Sequence, residues 1–157
     1  MGVRIANDIV RAAGQQCTNA IALCGSRMPI DDASGIPAAV YDATYTHFSD
    51  SARDKFMRRM CGTNDIFARF NATAPHRSAL DQQDELLSLR CYMLANAPQP
   101  QIFTHAVIAT QDRIFPAENL ERAWADGAVT TRSLTAPHFL FYQFNTWDEV
   151  IRYAQTG

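Results

Sequence analysis

The chain has 157 residues, 47% hydrophobic and 19% charged, with 7 Gly and 7 Pro. That excludes a disordered or collagen-like chain and fits one globular domain at most. A net charge of −2 gives no reason to expect a nucleic-acid partner, and no apolar run approaches the ~18 residues of a membrane span. The 14 basic residues include a single lysine, Lys55. Met1 to Asp8 lacks the charged-then-apolar pattern of a secretory signal. Cys17, Cys24, Cys61 and Cys91 contain no CxxC spacing, so neither a metal site nor a disulfide framework is expected. Reduced thiols and a cytoplasmic location are the expectation.

Val3 to Ala13 reads as a helix from the rhythm of Val3, Ile5, Ala6, Ile9, Val10 and Ala13, with Gly14 as its stop. No capping residue precedes it. Thr18 to Cys24 is a short apolar run closed by Gly25, the pattern of a buried strand. Met28 to Val40 is irregular, rich in the turn formers Pro29, Asp31, Asp32, Gly35 and Pro37. Helices are expected over Ser51 to Met60 (ended by Gly62), Ile66 to Phe70, and Leu80 to Leu94. Ile102 to Ala109 is the second strand, Pro116 to Trp124 a helix, Val129 to Leu134 the third strand, and Trp147 to Ala154 a last helix capped by Thr146. Strands alternating with helices imply a parallel sheet covered by helices. Three strands is thin for that architecture, where five or six are usual (~5–6).

In such sheets the reactive groups gather at the carboxyl ends of the strands. Asp112 follows the second strand and His138 follows the third. That order suits the Ser…Asp…His sequence of α/β-hydrolases, in which a carboxylate fixes the imidazole tautomer and the imidazole takes a proton from a hydroxyl nucleophile. The bland alternative is that Asp112 only caps a turn. Ser26, in Cys24-Gly25-Ser26-Arg27, lacks the flanking glycines of a nucleophile elbow and reads as a loop residue near the site. Cys24 and Cys61 read as buried small apolar residues. His47, His76 and His105 stand alone, without a second ligand at metal spacing.

Several stretches together resemble the BioG type of pimeloyl-acyl-carrier-protein methyl ester esterase. They are Pro29-Ile30-Asp31-Asp32 with Gly35-Ile36-Pro37, Arg58-Arg59-Met60-Cys61-Gly62, Asp112-Arg113-Ile114-Phe115-Pro116, and Ala136-Pro137-His138 with Phe141-Tyr142. The resemblance runs over nearly the whole chain. It implies a partial α/β-hydrolase of about three parallel strands with a helical lid at 28–100, within one domain at 1–157. Asp112 would be the triad acid and His138 the base, with no metal or organic cofactor. It further implies that Met1 and Gly2 end a G-x-S-x-G elbow whose serine precedes Met1. On that reading the chain is a truncated C-terminal part of the hydrolase and is inactive as written.

The implied reaction is demethylation of a pimeloyl-carrier-protein methyl ester in biotin synthesis. An acyl carrier protein is acidic, and the basic residues Arg53, Lys55, Arg58, Arg59 and Arg77 of the insertion are the expected docking set. Their bland reading is a solvated face. Phe139 is a candidate wall for an acyl pocket. Two alternatives stand beside the esterase: a non-catalytic remnant or carrier-binding module, and another esterase or thioesterase with the same triad. Loss of a strand beside Thr18 to Cys24 would leave an apolar edge prone to self-association.

Overall fold

The computed structural model describes residues 1–156. The elements run α1 (Gly2–Ala12), β1 (Ile21–Leu23), α2 (Ala38–Thr46), α3 (Asp50–Cys61), α4 (Asn64–Asn71), α5 (Ala79–Ala95), β2 (His105–Ala109), α6 (Ala117–Ala123), β3 (Thr130–Leu134), a 3-10 turn (Phe141–Gln143) and α7 (Trp147–Gln155). The three strands make one parallel sheet in the order β1-β2-β3, with Ile21 opposite His105 and His105 opposite Thr130. The fold is α/β, as the alternation of strands and helices predicts.

Strand β2 is central, and alternation along it builds a core on each face. Ala106 and Ile108 pack with Phe115, Leu120 and Trp124 of the α6 side. Val107 and Ala109 pack with Ala136, Leu140 and Ala154 of the α7 side. A fully buried leucine such as Leu120 contributes about 2 kcal/mol by transfer from water. Serine and threonine caps start four helices: Thr146, the expected cap, accepts from Glu149 N–H, and Ser49 accepts likewise from Ala52, Thr63 from Ile66 and Ser78 from Asp81.

Two local expectations in the first half of the chain differ from the structure. Strand β1 is shorter than Thr18 to Cys24: it starts three residues later, and it ends where the backbone turns at Cys24 (φ +47), whose N–H still donates to the Val107 carbonyl at 3.0 Å. Helix α2 begins within the last residues of the segment read as irregular and continues through a stretch where no element was expected. The Asp32 carboxylate, six residues upstream, accepts from its first N–H at Ala38, an offset that a cap search misses.

Helix α1 lies with its polar side inward: Arg4, Asn7 and Asp8 are buried, while Ile9 is 62% exposed. Of the apolar rhythm Val3 packs against the core, but the rhythm does not mark the helix's most buried face. Arg4 Nε meets Asp8 Oδ2 at 2.6 Å, and the Tyr92 hydroxyl of α5 donates to the same oxygen at 2.9 Å. Arg4 also donates to the carbonyl of Asn96 at 2.7 Å, and Asn7 accepts from Ile102 N–H at 3.0 Å. These groups satisfy the end of α5 and the backbone returning to β2, where bare carbonyls would be costly to bury.

Candidate active site

Asp112 sits one turn past β2, where its Oδ1 accepts the backbone N–H groups of Ile114 at 2.7 Å and Phe115 at 3.0 Å. This is the turn role that the bland reading gives it. The other oxygen, Oδ2, lies 2.7 Å from His138 Nδ1. The Asp112 side chain is fully buried and that of His138 is 24% exposed. With an ionised carboxylate accepting, Nδ1 carries the proton and Nε2 is the free ring nitrogen. The Phe115 ring stacks on the imidazole at 5.9 Å between centroids and 7° between planes. Turn, carboxylate and aromatic ring thus fix the imidazole in one orientation, so Nε2 is available for proton transfer.

His138 is held from its own side as well. Its loop is stitched to the end of α3, where Phe139 N–H donates to the Met60 carbonyl at 3.0 Å. Gly62 turns with φ +78, and a Cβ there would come within 2.8 Å of Pro137. Only glycine meets both demands. These contacts join the Arg58-to-Gly62 and Ala136-to-His138 stretches in space. In the same way, Asn119 of α6 donates to the Gly35 carbonyl at 2.7 Å and holds the Pro29-to-Pro37 turn. A Cβ at Gly35 would lie 2.1 Å from the Met28 carbonyl oxygen.

Cys24 completes the neighbourhood. Its thiol, the Asp112 carboxylate and a His138 ring nitrogen all lie within 4.8 Å of one another. Burial, followed by the charge of Asp112, pushes the Cys24 thiol up to about 12, so it stays neutral at physiological pH. The sequence expectation of a buried, inert cysteine suits this geometry. Its nearness to the pair was invisible, because it depends on strand order. Ser26 is 1% exposed, and its Oγ has no partner among the described residues. It lines neither of the two cavities described here.

One cavity, about 220 Å³, is lined by His138 together with Met1, Phe56, Arg59, Leu86, Arg113 and Phe115. A second, about 680 Å³, lies among the helices between β1 and β2, with Phe48, Met57, Met60 and Phe70 in its wall. The expectation that Phe56, Met57 and Met60 share a face agrees with all three lining this cavity. Phe139 lines neither; its ring packs against Phe70 at 5.1 Å, behind the cavity wall. His76 lines the larger cavity, and His105 lies 2.9 Å from the Thr104 hydroxyl.

The basic residues of the insertion divide by partner. Arg53 pairs with Asp50 at 2.8 Å, Arg58 with Asp54 at 2.8 Å, and Arg77 with Glu85 at 2.5 Å. Arg58 also covers the Phe67 ring at 4.0 Å. Lys55 and Arg59 are exposed and have no carboxylate partner among the described residues.

The family model for pimeloyl-ACP methyl esterase BioG matches residues 1–150. This chain belongs to the BioG family. A crystal structure of BioG from Haemophilus influenzae superposes with a TM-score of 0.88 at 27% identity, over 96% of this chain and 69% of that one. An uncharacterized protein of H. influenzae is 28% identical over 148 residues, covering 94% of this chain and 67% of its own length. A malonyl-[acyl-carrier protein] O-methyltransferase of Bacteroides fragilis is 33% identical over 124 residues, 79% of this chain. The chain spans only 25% of that methyltransferase. No helix among the described residues is long and apolar enough to cross a membrane.

Proposed function

We propose that this chain supplies the acid–base pair of a serine carboxyl-ester hydrolase whose substrate is a pimeloyl methyl ester carried on an acyl carrier protein, a step of biotin synthesis. The single observation that carries the reading is the buried Asp112 carboxylate 2.7 Å from His138 Nδ1, with His138 lining a cavity. In the proposed mechanism Asp112 holds the imidazole tautomer and stabilises its cation. His138 Nε2 takes the serine proton as the hydroxyl attacks the ester carbonyl, then returns it to the departing methoxide to give methanol. Water, activated by the same nitrogen, then cleaves the acyl-enzyme and leaves a free carboxylate.

The serine is proposed from topology. β1 is an edge strand and α1 leads into it. A strand preceding α1 and lying parallel beside β1 makes a β-α-β unit. Its carboxyl end then falls next to Met1, which already lines the His138 cavity. The nucleophile stands immediately before Met1 in this reading, and the helices between the strands (28–100) act as the lid. Free Cys17, Cys24, Cys61 and Cys91 suit a reducing compartment such as the cytoplasm. The unpaired Lys55 and Arg59 favour a second reading, a carrier-binding module without turnover.

The decisive assay is methanol release from a methyl-pimeloyl carrier protein. Three proteins are compared: the chain beginning at Met1, the same chain preceded by a strand ending in Gly-x-Ser, and that longer protein with His138→Ala. Turnover is expected from the second alone. Activity that survives His138→Ala overturns the mechanism. Carrier binding without turnover in the second protein moves the conclusion to the binding module.

A further inference from the structure

Cys24, Asp112 and His138 stand at or just beyond the carboxyl ends of β1, β2 and β3, the three neighbouring strands of the sheet. Strand order thus gathers one sulfur, one oxygen and one nitrogen, all within 4.8 Å of one another. The mechanism uses the oxygen and the nitrogen and leaves the sulfur without a task. Cys24 is nonetheless held in the left-handed region, with φ +47. That conformation costs a non-glycine residue free energy, and it gathers at sites where the surroundings fix a side chain. We propose that Cys24 Sγ, Asp112 Oδ2 and His138 Nδ1 form a binding site for a thiophilic divalent cation such as zinc, and that filling it switches off His138. The site goes beyond the esterase reading and rests on it only for what is switched off.

The donor set suits such an ion. Zinc takes thiolate, imidazole and carboxylate at about 2.0–2.3 Å, which puts the ligand atoms of one tetrahedral site roughly 3–4 Å apart. Asp112 Oδ2 and His138 Nδ1, 2.7 Å apart, open slightly to admit the ion, and the thiol closes in. Asp112 Oδ1 stays with the N–H groups of Ile114 and Phe115, an outer shell that aims Oδ2 at the metal. Charge favours the same arrangement. Burial and the Asp112 carboxylate keep a proton on Cys24 when no cation is near. Thiolate, carboxylate and a doubly charged ion sum to zero, so the buried carboxylate gains a partner rather than a second anion beside it. One proton leaves, from the thiol, and the imidazole proton moves from Nδ1 to Nε2. The nitrogen that would accept a serine proton then already carries one.

Cobalt(II) reports the sulfur through its thiolate charge-transfer absorption, and zinc(II) is measured by competition against it. Both are titrated into the chain carrying Cys17→Ser and Cys91→Ser, which removes the exposed thiols. A single equivalent of cobalt should give the thiolate band. Zinc should displace it and move the His138 ring proton to Nε2 in the nitrogen-15 shifts. Cys24→Ser should remove the band and weaken zinc by more than about 100-fold, since losing an outer-shell partner alone costs ~10–100-fold. Cys24→Ala serves the same purpose if the serine variant fails to fold. Cys61→Ser, which removes the other buried thiol, should change neither reading. A band that never forms, a band that survives the loss of Cys24, or zinc binding that leaves the His138 shifts unmoved overturns the site. In the longer, serine-bearing protein zinc should stop methanol release, and Cys24→Ser should restore it at the same zinc concentration. Release that continues with zinc bound at Cys24 overturns the switch. No release before zinc is added defeats the esterase reading and leaves the cation site standing on the cobalt band.

Discussion

Asp112 performs two tasks with one carboxylate, and the two oxygens divide them. Oδ1 closes the turn after β2 and Oδ2 meets the imidazole. An asparagine at 112 can keep the turn, but its amide nitrogen cannot accept from Nδ1. Asp112→Asn should therefore transfer the imidazole proton to Nε2, visible in the nitrogen-15 shifts of His138, with unfolding stability changed little. In the serine-bearing protein the same change should lower turnover by about 10⁴-fold, the scale expected when a triad imidazole is held in the wrong tautomer. Unchanged nitrogen shifts would show that the carboxylate does not select the tautomer.

Among the basic residues, pairing decides which are available. Arg58 is engaged by Asp54 and the Phe67 ring, whereas Arg59 lines the His138 cavity without a carboxylate partner among the described residues. Arg59→Ala should weaken binding of an acidic carrier protein by up to about fivefold at low salt, the scale of one exposed ion pair. Arg58→Ala should weaken it less. Calorimetric titration separates the two, and equal losses would return the docking role to the whole basic stripe.

At the scale of elements, α1 is a polar brace rather than an amphipathic wall. Burial alone would raise the Asp8 carboxyl, but hydrogen bonds from Arg4, Tyr92 and Asn7 outweigh it and hold the group below its ordinary value. A depressed carboxyl contributes stability above its unfolded pKa and loses it as pH falls through the folded one. Asp8→Asn leaves the Arg4 guanidinium buried against carbonyls only, and should cost about 3 kcal/mol at neutral pH. The deficit should begin to shrink below about pH 4, where the unfolded carboxyl takes up its proton, and go on shrinking until the native one does so at lower pH. Urea unfolding at both pH values measures this, and a deficit independent of pH would assign the cost to packing.

For the whole molecule, neither edge of the sheet has a partner strand among the described residues, β3 pairing only with β2 on its side. β1 pairs only with β2, and Ile9 of α1 stands exposed nearby in sequence. Bare strand edges and apolar helix faces recruit further chain. The chain beginning at Met1 should gain mass with concentration in sedimentation. Ile9→Lys should reduce that gain, and a preceding strand should remove it. A monomer at all concentrations would show that the edge is already protected.

The sequence by itself determined the order of the strands and of every α-helix but α2, the Thr146 cap, and the placing of Asp112 and His138 after two parallel strands. These rest on local periodicity and on turn chemistry, which act within a few residues. Only the tertiary structure decided the inward polar face of α1, the Asp32 cap of α2, the nearness of Cys24 to the pair, and which arginines already have carboxylates. Each of these joins groups far apart in the chain, and the free energy of burying a charge or filling a cavity depends on neighbours that local pattern does not encode.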